Sequence, residues 1–142
     1  VSRFDRLLDE KMAAAGVPTG KIGTMNASKC YNIIAKENLN YVKPLFASTG
    51  VKGDDLSKDY YVSELMYPSC VNTAPLETIE AFMSGDQKPK MPPSDAQIEE
   101  FFARVADAKI DMKKAYKKLL DDGLVAFEEA FKEIIKTLKK EK

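Results

Sequence analysis

Histidine is absent from the chain, and cysteine occurs only twice, at Cys30 and Cys70, far apart and with no CxxC around either. These two scarcities come close to excluding a zinc site and a Ser-His or Cys-His nucleophile pair, both of which draw on those side chains. An excess of one charge is missing as well, because 22 basic residues balance 22 acidic ones. A nucleic-acid binder or an anionic-membrane binder needs a basic face, so neither kind of partner is expected. No run of about 18 apolar residues is present, so no segment is expected to span a bilayer. The chain opens on Val1-Ser2-Arg3, with neither an initiator Met nor a charged-then-apolar leader. With so little cysteine, the expectation is a soluble cytoplasmic chain.

What remains is 142 residues, 44% of them apolar. That is enough for a single segment, 1–142, to bury a core without disulfide or metal staples. It is too short for a complete (β/α)8 barrel, which typically needs about 250 residues.

Helical periodicity dominates. Phe4, Leu7, Leu8, Met12 and Ala15 recur at three- and four-residue spacing, with Ser2 and Asp5 as a start signal and Gly16 and Pro18 as a stop. Lys21 to about Glu37 is a second helix, with Ile22, Met25, Cys30, Ile33 and Ile34 on its apolar face and Cys30 as a small core residue there. Cys70, at the head of another apolar run, reads the same way. Tyr60 to Met66 forms a short helix with Tyr61, Leu65 and Met66 inward. Leu76 to Met83 forms another, with Pro75 at its first position and Ile79, Phe82 and Met83 inward. Ser94-Asp95-Ala96-Gln97 is a capping box for a helix to about Ala108.

Ile110 to Leu120 follows as a helix with Met112, Ala115, Tyr116, Leu119 and Leu120 on one side, and Asp121-Asp122-Gly123 interrupts the pattern. The last helix carries the cleanest apolar stripe: Phe127, Ala130, Phe131, Ile134, Ile135 and Leu138. The basic end, Lys139-Lys140-Glu141-Lys142, reads either as a frayed helix terminus with favourable charge or as a partner-binding tail. Only two stretches read as strands, Lys43–Ser48 and Ser69–Ala74. Two short strands make no stable sheet alone. The expected fold is therefore a helix-dominated α/β domain or a part of a larger parallel sheet.

One place collects groups suited to a site. Where the first strand ends, Ser48-Thr49-Gly50-Val51-Lys52-Gly53 brings together hydroxyls, glycines and a lysine. Loops at the C-terminal ends of parallel strands bind ligands, and this set suits a phosphate monoester. The GxxxxGK[ST] spacing of a P-loop is absent. An ordinary glycine-rich turn is the competing reading. Arg3, between a strand remnant at Val1-Ser2 and the first helix, either reaches the same anion or makes a surface ion pair. No lysine is convincingly desolvated and no pair of catalytic carboxylates stands out, so no catalytic group is visible.

Three runs resemble the bacterial transaldolase family: Pro44-Leu45-Phe46-Ala47-Ser48-Thr49-Gly50-Val51-Lys52, Tyr61-Val62-Ser63-Glu64-Leu65 and Val71-Asn72-Thr73-Ala74-Pro75. The opening Val1-Ser2-Arg3-Phe4-Asp5 is similar to the end of that family's sixth barrel strand, and Leu119–Phe127 to its C-terminal helix region. The resemblance covers essentially the whole chain. It implies the C-terminal part of a (β/α)8 TIM barrel: the end of strand six, strands seven and eight, and the C-terminal helices. It also implies transfer of a dihydroxyacetone unit between sugar phosphates, through a Schiff base on a lysine and with no metal or organic cofactor. That lysine and its acidic partners fall on earlier strands, outside this chain, so catalysis by the chain alone is not expected.

Residue by residue, the resemblance gives Arg3 and Ser48 a role in holding the substrate phosphate and makes Lys52 their cationic partner. Other branches place Arg or Lys two residues after the serine, where this chain has Gly50. Expected partners are a sugar-phosphate substrate and the remainder of the barrel. A reading from a different class is a helical assembly module that works through the Phe127–Leu138 stripe, and exposed apolar edges favour self-association of the chain.

Overall fold

The computed structural model describes residues 1–140, so Glu141 and Lys142 of the basic tail lie outside the described residues. Six helices and two strands run in the order α1 (Ser2–Ala14), α2 (Ile22–Glu37), β1 (Leu45–Phe46), α3 (Tyr60–Glu64), β2 (Val71–Asn72), α4 (Leu76–Ser84), α5 (Asp95–Asp107) and α6 (Met112–Lys140). They fall into two compact units, Val1–Ile110 and Asp111–Lys142. No described helix is long and apolar enough to cross a membrane.

In the first unit β1 and β2 pair in parallel, with Leu45 opposite Val71 and Phe46 opposite Asn72. Parallel neighbours need a crossover, which the segment containing α3 supplies. Val71 N–H donates to the Pro44 carbonyl and Thr73 N–H to that of Phe46, both at 2.9 Å. The start of the chain continues this arrangement on the other side of β1. The Val1 amine donates to the Ala47 carbonyl (2.8 Å) and Ser2 N–H to the Ser48 carbonyl (2.9 Å). Val1-Ser2 is nevertheless not a strand: Ser2 already opens α1, because its backbone turns helical once these two bonds are made.

The core beside the sheet is Ala27, Tyr31, Phe46, Leu65 and Tyr67, with Val1 and Cys70 packed against it. Tyr67 takes Tyr31 and Phe46 edge-on, at centroid distances of 5.1 and 6.1 Å. This core corrects the face expected for α2. The buried positions are Ile22, Gly23, Thr24, Ala27, Ser28 and Tyr31, while Cys30 and Ile33 are exposed. Small polar side chains won the inward face because their hydroxyls find partners. Ser28 Oγ donates to the Thr24 carbonyl (2.8 Å) or shares a hydrogen with Tyr67 Oη (2.7 Å).

The segment between α4 and α5 is held to the unit. Gln87 Nε2 donates to Asp59 Oδ2 (2.7 Å) and Lys90 N–H to the Met66 carbonyl (3.0 Å). Burial would raise the Glu64 carboxyl, but Lys21 (2.8 Å) and Lys90 flank it and hold it below its usual value. The capping box opens α5 as expected: Ser94 Oγ accepts from Gln97 N–H (3.3 Å), and Gln97 Oε1 from Ser94 N–H (2.9 Å).

Helix α4 departs from expectation. Pro75 is its N-cap rather than its first residue, and the buried side chain is Thr78. Ile79 is exposed, and Met83 is 78% exposed. Of the apolar side that periodicity marked as inward, only Phe82 is half-buried.

The second unit is α6, one helix of 29 residues with no break at Asp121-Asp122-Gly123. Lys117–Asp121 (2.7 Å) and Lys118–Asp122 (2.8 Å) pair across successive turns just before Gly123. Such pairs each add a few tenths of a kcal/mol, against a cost of about 1 kcal/mol for one helical glycine. Leu120, Leu124, Phe127, Phe131, Ile134 and Leu138, spaced alternately four and three apart, are all exposed, Phe127 by 76%.

Replacing Ser94 by Ala removes the cap and should lower stability by about 1 kcal/mol. Urea unfolding of the variant beside the parent measures it, and an unchanged midpoint would mean that the box contributes nothing.

Candidate functional site

The loop after β1 begins under strain. Ser48 sits at φ +56°, in the left-handed region that non-glycine residues seldom occupy. Three contacts impose this. The Ser48 carbonyl accepts Ser2 N–H, the fully buried Thr49 hydroxyl donates to the Thr73 carbonyl, and Thr73 N–H returns to the Phe46 carbonyl. The Thr49 hydroxyl is thus an internal strut between the two strand ends, and the exposed Ser48 hydroxyl is the one left for a ligand. Strain of this kind persists where surrounding structure over-determines it, often beside a binding site. Gly50 has a packing reason: a Cβ there would stand 3.0 Å from Pro75 Cγ.

Arg3, Ser48 and Lys52, the three residues singled out in the sequence, line one cavity of about 360 Å³. Arg6 joins them, with Thr73 and Pro75 closing the side after β2. Arg6 was missed in the sequence, although it stands three residues after Arg3 on one helix and hence on the same face. The lining holds three cationic side chains and no acidic one.

A larger cavity of about 540 Å³ adjoins it and shares Ser2, Arg6 and Lys52. Its lining sets Asp5, Asp9, Glu10 and Asp55 against those two cations. An anion is therefore favoured in the smaller cavity and repelled from the larger. No group of acidic and cysteine side chains suited to a metal ion occurs among the described residues.

Asp5, on the wall of the larger cavity, ties α1 to α2. It is 1% exposed and stands in the first turn of α1, as the start signal expected, but its carboxyl makes no cap hydrogen bond within its own helix. Its Oδ1 accepts the Gly23 N–H at the beginning of α2 (2.9 Å), where amide hydrogens point out of the helix. Burial pushes the Asp5 carboxyl above its usual value, opposed by the amides of Gly23 and Ile22 and by the Tyr61 hydroxyl, with Asp9 adding to the rise. Burial first and Asp5 second push the Tyr61 phenol well above its ordinary value, so it stays protonated.

Sequence comparison places these observations in a family. The family described as Transaldolase/Fructose-6-phosphate aldolase matches residues 1–138. The chain belongs to this family. A transaldolase of Campylobacter jejuni subsp. jejuni serotype O:23/36 (strain 81-176) is 45% identical over 138 residues, which cover 97% of this chain and 41% of the relative. Transaldolases of Helicobacter pylori strains P12 and ATCC 700392 / 26695 are 36% and 35% identical over 141 and 139 residues, covering 43% and 42% of their lengths. The chain thus spans about two fifths of the curated transaldolases it matches. The resemblance drawn from the Ser48 loop, the Tyr61 run and the Val71 run is borne out at the level of the family.

The raised Asp5 carboxyl has a consequence for stability. The folded chain binds that proton more tightly than the unfolded chain does. Stability therefore falls as pH rises from the unfolded value near 3.8 through the raised one. Asp5→Asn, which keeps an acceptor for Gly23 N–H, should raise Tm at pH 7, and the gain should shrink at pH 4. Thermal unfolding at both values tests this, and a variant less stable at pH 7 would refute it.

Proposed function

We propose that the chain is the phosphate-holding C-terminal part of a transaldolase (β/α)8 barrel, a single segment over 1–142. In this reading β1 and β2 are barrel strands seven and eight, and the hydrogen bonds of Val1 and Ser2 onto Ala47 and Ser48 follow the end of strand six. The whole enzyme moves a dihydroxyacetone unit from sedoheptulose 7-phosphate to glyceraldehyde 3-phosphate, yielding erythrose 4-phosphate and fructose 6-phosphate. It belongs to the pentose phosphate pathway in the cytoplasm and needs no metal or organic cofactor. The Schiff-base lysine belongs to the strands outside this segment, so the 142-residue chain is inactive alone.

The observation that carries this reading is the acid-free cavity at the end of β1, with Arg3, Arg6, Ser48 and Lys52 around it. A guanidinium offers a planar fork to a phosphate, and the Ser48 hydroxyl and the Lys52 ammonium add a hydrogen bond and a point charge. Phosphate sites recur at the loops after the late strands of such barrels. Gripping the phosphate fixes the position of the reacting carbonyl carbon relative to the lysine, which turns an encounter into an oriented reaction.

The exposed apolar side chains support the remainder of the barrel as a partner. Leu45 and Val71 on the sheet, Ile79 and Met83 on α4 and the α6 stripe all lie open. The same α6 stripe favours a second reading, self-association as a helical assembly module, in which a concentration-dependent oligomer is expected in sedimentation. A monomer at every concentration counts against that module.

Titration of the 142-residue chain with inorganic phosphate tests the site. Arg3→Ala and Ser48→Ala should each weaken binding by about tenfold or more, the scale of a charge-assisted hydrogen bond. Lys52→Ala should cost less, since an exposed ammonium is easily replaced by solvent. Binding unaffected by either of the first two changes removes the proposal. Borohydride should trap no substrate on the chain.

A further inference from the structure

We infer that Asp5 is a positioning residue for the anion cavity: by clasping the start of α2 to the first turn of α1, it sets how Arg3 and Ser48 are presented. The inference rests on the phosphate reading above, and it is carried by two hydrogen bonds and one close approach of the backbone at Gly23. Asp5 Oδ1 takes the Gly23 N–H at 2.9 Å, in the only part of α2 where amide hydrogens lack carbonyl partners of their own. Gly23 permits this approach because it has no side chain: a Cβ would stand 2.5 Å from the Val1 carbonyl oxygen and 2.9 Å from Asp5 Oδ2. The two helix starts therefore meet with no slack. One turn back along α1, Ser2 N–H holds the carbonyl of the strained Ser48 at 2.9 Å. Arg3 lies between Ser2 and Asp5, so fixing both neighbours fixes the rotation of the turn that carries it.

The choice of residue supports a directional role. A buried carboxylate costs free energy, and the described side chains place no lysine or arginine in an ion pair with Asp5, although the Val1 ammonium attracts it. Two apolar side chains would pack the helices together without that cost. They would not specify one rotation of α1 about its axis, which a hydrogen bond to a single amide does. Arg6, one residue on, gains the same orientation toward the cavity.

Phosphate affinity and amide hydrogen exchange in the 142-residue chain test the inference together. Asp5→Ala should weaken inorganic phosphate about tenfold, and Asp5→Asn, which retains the acceptor, should stay within about twofold of the parent. Because Asp5 acts in part through Arg3, the double variant Asp5→Ala with Arg3→Ala should bind less weakly than the product of the two single losses predicts. In exchange, the Ser2 amide should lose protection in Asp5→Ala and keep it in Asp5→Asn, while the Ile98–Val105 amides of α5 keep theirs in both. Unchanged phosphate affinity in Asp5→Ala, full additivity with Arg3→Ala, or unchanged Ser2 protection each overturns the inference. If the parent chain itself binds no phosphate, the anion-site reading falls separately, and the Ser2 exchange comparison decides the positioning role.

Discussion

The first unit turns on a carboxylate held by the open end of a helix. Asp5 is buried, yet its partner is the Gly23 amide at the mouth of α2 rather than a cation. The partial positive charge at a helix N-terminus accommodates an anion there, although burial still lifts its pKa. With this contact go the close approach at Gly23, the orientation of α1, and the bond from Ser2 to Ser48, one of the three contacts that hold the serine in a left-handed conformation. The candidate site is built outward from that clasp.

Charge is divided unequally between two adjoining hollows. The smaller gathers Arg3, Arg6 and Lys52 with no acid, whereas the larger shares two of those cations but adds four carboxylates. Size alone would direct the proposed phosphate to the larger hollow. The sign of the local charge reverses that choice, because an anion interacts with the summed field of its surroundings rather than with free volume. The overall balance of 22 basic and 22 acidic residues conceals this separation entirely.

Much of the local structure was legible because its causes are local. The capping box at Ser94 and Gln97 needs only four residues, and Gly16 and Pro18 end the first helix by their own backbone limits. The loop after Phe46 was legible by its chemistry, and Arg3, Ser48 and Lys52 do share one cavity. What failed was the choice of buried faces. Cys30 and Ile33 look more apolar than Thr24 and Ser28, yet the latter lie inward because Tyr67 and a helical carbonyl satisfy Ser28. Ile79 and Met83 were expected inward on periodicity, which records that a face is apolar but not whether this chain supplies its cover. The break expected at Gly123 did not appear, since a single glycine costs too little to stop a 29-residue helix.

The sequence by itself determined the class of side chains available: no histidine, no one-sided charge, and one hydroxyl- and glycine-rich loop beside a lysine. It also determined the family, through three runs whose order along the chain carries the likeness. Only the tertiary structure decided that Arg6 joins Arg3 at the cavity, that Thr49 is a strut while Ser48 faces outward, and that the Asp5 carboxyl reaches from α1 to the start of α2. Those outcomes depend on which backbone groups lie without partners where two elements meet. That pairing spans 18 residues between Asp5 and Gly23, well beyond the reach of local periodicity.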